Sequence, residues 1–215
     1  MELSQEANKW LDSVIEHRRT VRSFKATIPD KESIEAIVHA GLWAPYAGLA
    51  ITDDRDFRRF FVIQNGNPLL SRISGLMQQD AKVSLHEMET RFAEKPLREK
   101  ARAYMNRISG IAEKGFPDLL SAPCLIVVAE QKGIPPAEKQ SLAHVLQNMW
   151  LKATAIGMGL RLVSAVERLS DNNDFCTLLG VSLGEFAFTG CIIGFPVEEP
   201  KTRKRPDEKA VTRWM

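Results

Sequence analysis

His17-Arg18-Arg19-Thr20-Val21-Arg22-Ser23-Phe24 places three arginines and a threonine within five positions and contains no acid. Arginine offers a planar, permanently charged fork that matches phosphate oxygens, and a threonine hydroxyl can fill a remaining contact. A solvated basic helix end has the same composition, because cations are favoured at a helix C-terminus. The choice between the two rests on what surrounds the stretch. A second basic cluster, Lys201-Thr202-Arg203-Lys204-Arg205-Pro206, lies near the other end of the chain.

At 215 residues the chain can bury one sizeable core, and a single domain, 1–215, is expected. Twenty-nine basic and 27 acidic residues give a net charge of +2, so any anion site has to be local. That balance, and the lack of aromatic residues interleaved with the basic clusters, argues against a nucleic-acid partner. The N-terminus is acidic and carries no secretory signal, and apolar runs such as 122–129 are too short to cross a bilayer. No membrane partner and a cytoplasmic location are expected. Cys124, Cys176 and Cys191 show no C-x-x-C spacing and read as reduced, buried thiols. The four histidines form no metal-ligand pair.

Residues 4–18 read as a helix with Ala7, Trp10, Leu11, Val14 and Ile15 on one face. Asp30 is expected to cap a second helix with an apolar stripe of Ile34, Ile37, Val38 and Leu42, limited by Pro45. Phe60-Phe61-Val62-Ile63 is a short strand. Residues 68–116 read as helices broken near Pro96 and partly outside the main core. Residues 122–129 read as a strand buried on both faces. Residues 138–158 form a helix with few charges around it, central or at an interface, and Gly157-Met158-Gly159 ends it. Strands are expected at 160–163 and 186–195, with a short helix between them capped by Asp171 and stopped by Gly180. The last twenty residues read as an extended basic arm. Helices and strands mix without strict alternation, which makes the class α+β.

With these segments laid out, the chain resembles the nitroreductase family of FMN-dependent oxidoreductases. The family's R-R-S/T-x-R-x-F motif is matched by Arg18-Arg19-Thr20-Val21-Arg22-Ser23-Phe24. Its A-P-S-x-x-N motif is matched by Ala44-Pro45-Tyr46-Ala47-Gly48. Its central helix is matched by residues 147–159, which open with Gln147-Asn148-Met149-Trp150-Leu151. Its late G-x-P strand is matched by Gly194-Phe195-Pro196, and its basic arm by Arg203-Lys204-Arg205-Pro206. No one motif is specific, but the five fall in order.

The resemblance implies a three-layer α/β/α fold with a central mixed, largely antiparallel sheet and a long central helix at a homodimer interface. It implies one FMN in each of two interface clefts, with residues 68–116 as a helical lid. Arg18, Thr20, Arg203 and Arg205 would hold the FMN phosphate, with Arg19 contributing backbone or side-chain contacts. Arg22 would reach the flavin near N1 and O2, where a fixed cation stabilises charge on the reduced ring. Pro45, Tyr46 and Ala47 would line the ring. The turn at Ser164, Ala165 and Val166 would offer a backbone N–H to N5. The implied reaction is ping-pong, with NADH or NADPH as donor and a flat aromatic acceptor such as a nitroaromatic or quinone; no protein general acid is required. Dehalogenation, flavin fragmentation, and a regulatory or interaction role without enzymatic activity stand as alternatives on the same fold.

The chain departs from the pattern after Pro45. Tyr46 is bulky where a small polar residue is usual, and Leu49 stands where an asparagine meets the flavin amide edge. Either Tyr46, Thr52 or Arg58 substitutes there, or FMN is held weakly. Glu138 stands in for the acid that often opens the central helix.

Overall fold

The computed structural model describes residues 4–46, 48, 56–92, 94–201 and 205–215. Ala47, Leu49, Thr52 and Arg203 lie outside the described residues. The chain begins with α1 (Gln5–His17), capped by the Ser4 hydroxyl, which accepts the Ala7 N–H at 3.2 Å. Next is α2 (Lys31–Leu42). Asp30 caps it as expected, one carboxylate oxygen accepting the Ser33 N–H and the other the Ser33 hydroxyl, both at 2.8 Å. Then come β1 (Arg58–Gln64), α3 (Leu69–Arg91), α4 (Lys95–Lys114), α5 (Pro117–Leu120) and β2 (Cys124–Gln131). The rest of the order is α6 (Glu138–Ala155), β3 (Gly159–Leu162), a 3-10 turn (Ser164–Leu169), α7 (Asn173–Leu179), β4 (Phe186–Gly194) and α8 (Glu208–Val211).

The four strands form one sheet in the order β1-β2-β4-β3, each neighbouring pair antiparallel. A lone parallel bridge, Thr20 to Leu160, adds the opening motif to the β3 edge. β2 is the strand read as buried on both faces. Leu125, Val127 and Ala129 pack with Phe188 and Ile192 of β4 against α3, α4 and the 3-10 turn, where Ile73, Met77, Ile108 and Val166 meet them. Cys124, Ile126 and Val128 face the other way with Cys191 and Ile193, under Ile34 and Ile37 of α2 and Leu142, Val145, Met149 and Ala153 of α6. The result is the expected α/β/α sandwich.

Local readings need three corrections. Asn172, not Asp171, caps α7: its side chain accepts the Phe175 N–H at 2.9 Å. The two neighbours are both good caps, and the chain enters the helix one residue later than expected. Leu42 closes the α2 stripe in sequence but is exposed, because the helix ends there, beyond the covered face. α3 and α4 are less peripheral than their charge suggests. Leu70, Ile73, Met77 and Ala81 of α3 and Ile108, Ile111 and Ala112 of α4 belong to the main core, while Val83 and Leu97 are exposed.

One buried ion pair joins α2 to the sheet. Arg58 and Glu130 are cross-strand partners, and Arg58 Nε donates to Glu130 Oε2 at 2.7 Å with both side chains almost wholly buried. The remaining Arg58 donors reach the carbonyls of Gly41 (3.2 Å), Ala44 (3.0 Å) and Pro45 (3.4 Å), which tie the end of α2 to β1. Burial pushes the Glu130 carboxyl above its ordinary value, and the Arg58 charge and hydrogen bond oppose the rise. The reading of Arg58 as a flavin-edge contact is therefore overturned: its guanidinium is already committed to a carboxylate and three carbonyls.

The opening motif lies against β3 at close range. Val21 N–H donates to Leu160 O at 3.3 Å, and a Cβ on Gly159 would sit 2.6 Å from Val21 Cβ. Only a residue without a side chain allows that approach. Gly159→Ala should therefore lose about 1–3 kcal/mol to overpacking, measured by urea unfolding; an unchanged midpoint would show that the motif is not pressed on β3. Arg58→Met should cost about 3–5 kcal/mol at neutral pH, because it strands a buried carboxylate. A carboxyl whose folded pKa lies above the unfolded value, about 4.3, stabilises below that value and loses this stability as pH rises through the folded one. The Arg58→Met deficit should thus shrink towards pH 4 and grow towards pH 7. A deficit independent of pH would remove Glu130 from the explanation.

Candidate active site

α6 carries two cavities in succession. The first, about 410 Å³, is lined by Glu138, Leu142, Ala143 and Leu146 of α6, by Leu162 and Ser164, and by Ala187 and Thr189 of β4. The second, about 480 Å³, is lined by Glu16, His17, Arg18, Arg19, Gln147 and Arg205. Ala143 and Gln147 are one turn apart on α6, about 6 Å along its axis. The cavities therefore run along one helix face: the first mixes apolar walls and hydroxyls with the charged Lys132, Glu138, Lys139, Glu167 and Asp171, and the second is cationic.

The cationic end is built where α1 stops. The backbone turns out of the helix at Arg18 (ψ 119°), so Arg18 and Arg19 diverge. The Arg18 guanidinium lies 4.4 Å over the ring of Trp150, an arrangement that favours the cation. Its pKa is nonetheless pulled below the usual arginine range, first by burial and then by the neighbouring charges of Arg205 and Arg19. Like charges so close favour a bound anion. One acid, Glu16, also borders this cavity.

Arg19 has a structural role. Nη1 donates to the carbonyls of Glu16 (2.5 Å) and Arg18 (2.7 Å), and Nε to Lys201 O at 3.3 Å. Its own carbonyl accepts the Trp150 indole N–H at 3.0 Å. Arg19 thus fastens the C-terminal arm to the end of α1. The arm is held further along by Lys25 N–H to Phe195 O (2.8 Å) and Val197 N–H to Ser23 O (3.1 Å).

The other sequence candidates divide. Ser164 opens the 3-10 turn and borders the first cavity; Ala165, the next residue, borders only an adjoining one. The first N–H groups of such a turn have no partner within it. Thr20 and Arg22 are exposed and line a separate groove of about 350 Å³ with Glu198, Glu199 and Lys201. Pro45 and Tyr46 line neither α6 cavity. The Tyr46 hydroxyl donates to Gln131 O at 3.2 Å and its ring packs 4.7 Å from Phe57. Burial, then the Glu130 and Glu138 carboxylates, raise its pKa. Glu138 connects the two regions: it lines the first cavity, accepts the Gly133 N–H at 2.7 Å, and acts electrostatically on Tyr46.

Sequence reasoning missed Leu142 and Leu146 as cavity walls, although their spacing of four on α6 puts them on one face. It read Trp150 as core or interface, with no sign of its stacking on Arg18. Met149 falls in the same helix, read as central or at an interface. Met149 is fully buried within the chain, against Gly41, so it belongs to the core. Burial pushes the Cys124 thiol up to about 12 and the Cys191 thiol higher still, which leaves both inert. Among the described residues no three His, Cys, Asp or Glu side chains gather to hold a metal ion, and no helix is long and apolar enough to cross a membrane.

No curated protein matches the chain. Among solved structures, a nitroreductase with bound FMN from Bacteroides fragilis superposes with a TM-score of 0.67 at 18% identity, covering 95% of this chain and 98% of that one. A nitroreductase with bound FMN from Desulfitobacterium hafniense gives 0.64 at 22% identity, covering 96% and 98%. A BluB-like flavoprotein from Clostridium difficile gives 0.67 at 20% identity, covering 95% and 98%. These show a shared fold. The model of the Nitroreductase family matches residues 15–195, most of the chain, and on that ground the protein belongs to the nitroreductase family.

Proposed function

We propose that this protein is an FMN-dependent oxidoreductase that takes a hydride from NADH or NADPH and passes it to a flat acceptor such as a nitroaromatic or quinone. The observation that carries the reading is the approach of Arg18 and Arg205 in one cavity beside α6, with a second cavity on the same helix face whose walls include Leu142, Leu146, Leu162, Ser164 and Thr189 among charged neighbours. The residues fit a flavin mononucleotide. Arg18 and Arg205, with Arg203 nearby in sequence, hold the phosphate. Leu142, Leu146 and Leu162 cover apolar ring surface, and the backbone at Ser164 and Ala165 offers N–H donors. When bound, FMN supplies hydride transfer through N5. The chain's part is to bind, orient and exclude water. Donor and acceptor reach the flavin in turn, so the donor product leaves before the acceptor reacts.

A second copy of the chain completes the cleft. α1 presents Trp10 (67% exposed), Leu11 and Ile15 on one side, and Trp43 (76% exposed) comes directly after α2. Apolar surface of this kind marks an interface. Sedimentation velocity should show a dimer that Trp10→Glu with Ile15→Glu converts to monomer; a wild-type monomer at every concentration would remove the second copy.

The flavin reading is tested by colour and by phosphate selectivity. Added FMN should give a yellow protein that bleaches with NADH under anaerobic conditions. Arg18→Ala or Arg205→Ala should weaken FMN binding by about 10- to 100-fold, the range of a lost charge-assisted hydrogen bond, and leave riboflavin binding nearly unchanged. Equal losses for both flavins would take the phosphate away from these arginines, and a colourless protein that refuses FMN would overturn the oxidoreductase reading.

A further inference from the structure

A further cavity, about 600 Å³, opens beside the first, and Lys139, Ser164 and Glu167 border both. Its outer wall is one face of α4: Tyr104, Arg107, Ile108 and Ile111 have the i, i+3, i+4, i+7 spacing of a helical stripe. Ile108 and Ile111 are buried and form the floor, while Tyr104 and Arg107 are exposed at the rim. Arg168 of the 3-10 turn closes the inner side.

The cavity carries surplus positive charge. Arg107, Lys139 and Arg168 line it against one acid, Glu167. Lys139 is paired with Glu167 at 3.0 Å. Arg168 is bonded to Asp80 from α3, yet its Nε is buried and has no acceptor among the described residues. Arg107 has no ion pair among the described residues. An aromatic ring and a guanidinium without an ion pair among the described residues thus meet beside the wall that the first cavity shares.

We propose that this cavity is the acceptor subsite and that it selects an aromatic acceptor bearing a carboxylate. The proposal rests on the flavoprotein reading and narrows its substrate. Tyr104 stacks on the ring of the acceptor. Arg107 takes the carboxylate, whose planar pair of oxygens matches the guanidinium fork, and the Arg168 guanidinium adds positive charge on the inner side. Ser164 and Glu167 hold the opposite edge of the ring towards the first cavity. The diphosphate of a nicotinamide donor offers the same anionic chemistry, so the test separates the two sources.

Calorimetric titration of the FMN-supplemented protein with benzoate and with benzamide, its neutral near-isostere, reads the selectivity directly. Benzoate should bind about tenfold or more tightly than benzamide, the size of a charge-assisted hydrogen bond. Arg107→Gln should bring the ratio close to one, and Tyr104→Ala should weaken both ligands alike. Equal affinities in the unmodified protein, or a preference that survives Arg107→Gln, would overturn the assignment. If Arg107→Gln slows bleaching by NADH and leaves benzoate binding unchanged, the cation serves the donor and the acceptor assignment falls. Heat reports benzoate whether or not the protein turns yellow, so a failure to take up FMN strikes the flavoprotein reading alone.

Discussion

β2 has no wet face. Every residue from Cys124 to Glu130 is buried, with alternate side chains pointing to opposite sides of the sheet. Such a strand is stable only if apolar helices cover both sides. α2 and α6 supply one cover; α3, α4 and the 3-10 turn supply the other. The same burial sets the electrostatic problem at the end of the strand. Glu130 lies in the strand's buried run, and its charge is tolerable only with a partner. Arg58 is directly opposite on β1, and its spare donors collect three carbonyls from the end of α2. Burial of one strand thereby fixes where the chain leaves α2 and enters the segment with Pro45 and Tyr46.

That chain of causes explains which parts of the fold were legible. The apolar run of β2 and the periodic stripes of α2 and α6 are local signals, and their reading carried the three layers. Capping at Asp30 is local too. The Arg58–Glu130 pair spans 72 residues, and nothing beside Arg58 in the sequence announces its partner. Placed after the proline motif, Arg58 looks like a spare cation for a ligand; only strand register shows that it is consumed. The charge of residues 68–116 hides their core stripe for a related reason. A helix with one buried stripe and three polar sides reads as peripheral, yet one stripe is enough to roof a sheet.

The site shows the same division between local and distant information. The motif at Arg18 names the cations but not their directions. Because the backbone leaves the helix at Arg18, adjacent arginines go to different tasks: one stacks on Trp150 near Arg205, and the other ties Glu16, Arg18 and Lys201 carbonyls together. Arg19, which looked equivalent, is the fastening that brings the arm into place. Thr20 and Arg22 run along the β3 edge instead, in a groove whose acids come from the arm itself.

The two halves of the cationic end come from opposite ends of the chain, and the fold does not hold them together by their own attraction. Arg18 and Arg205 repel, and burial adds to the cost of Arg18's charge. What opposes this, besides the Arg19 bond to Lys201 O, is neutral: the Trp150 face, the Thr20–Leu160 and Phe24–Pro196 bridges, and the backbone bonds along Ser23 to Lys25. Backbone hydrogen bonds are insensitive to the charge of the ligand, so the arm is positioned before any anion arrives. A negative group placed between the guanidiniums would relieve the repulsion that remains. On the flavin reading proposed above, a phosphate bound between them would draw on this repulsion, at a place where the local positive charge exceeds the chain's net charge of only +2. On that reading, selectivity for a phosphorylated ligand over its neutral counterpart depends on how the arm is tethered as much as on the arginines it carries.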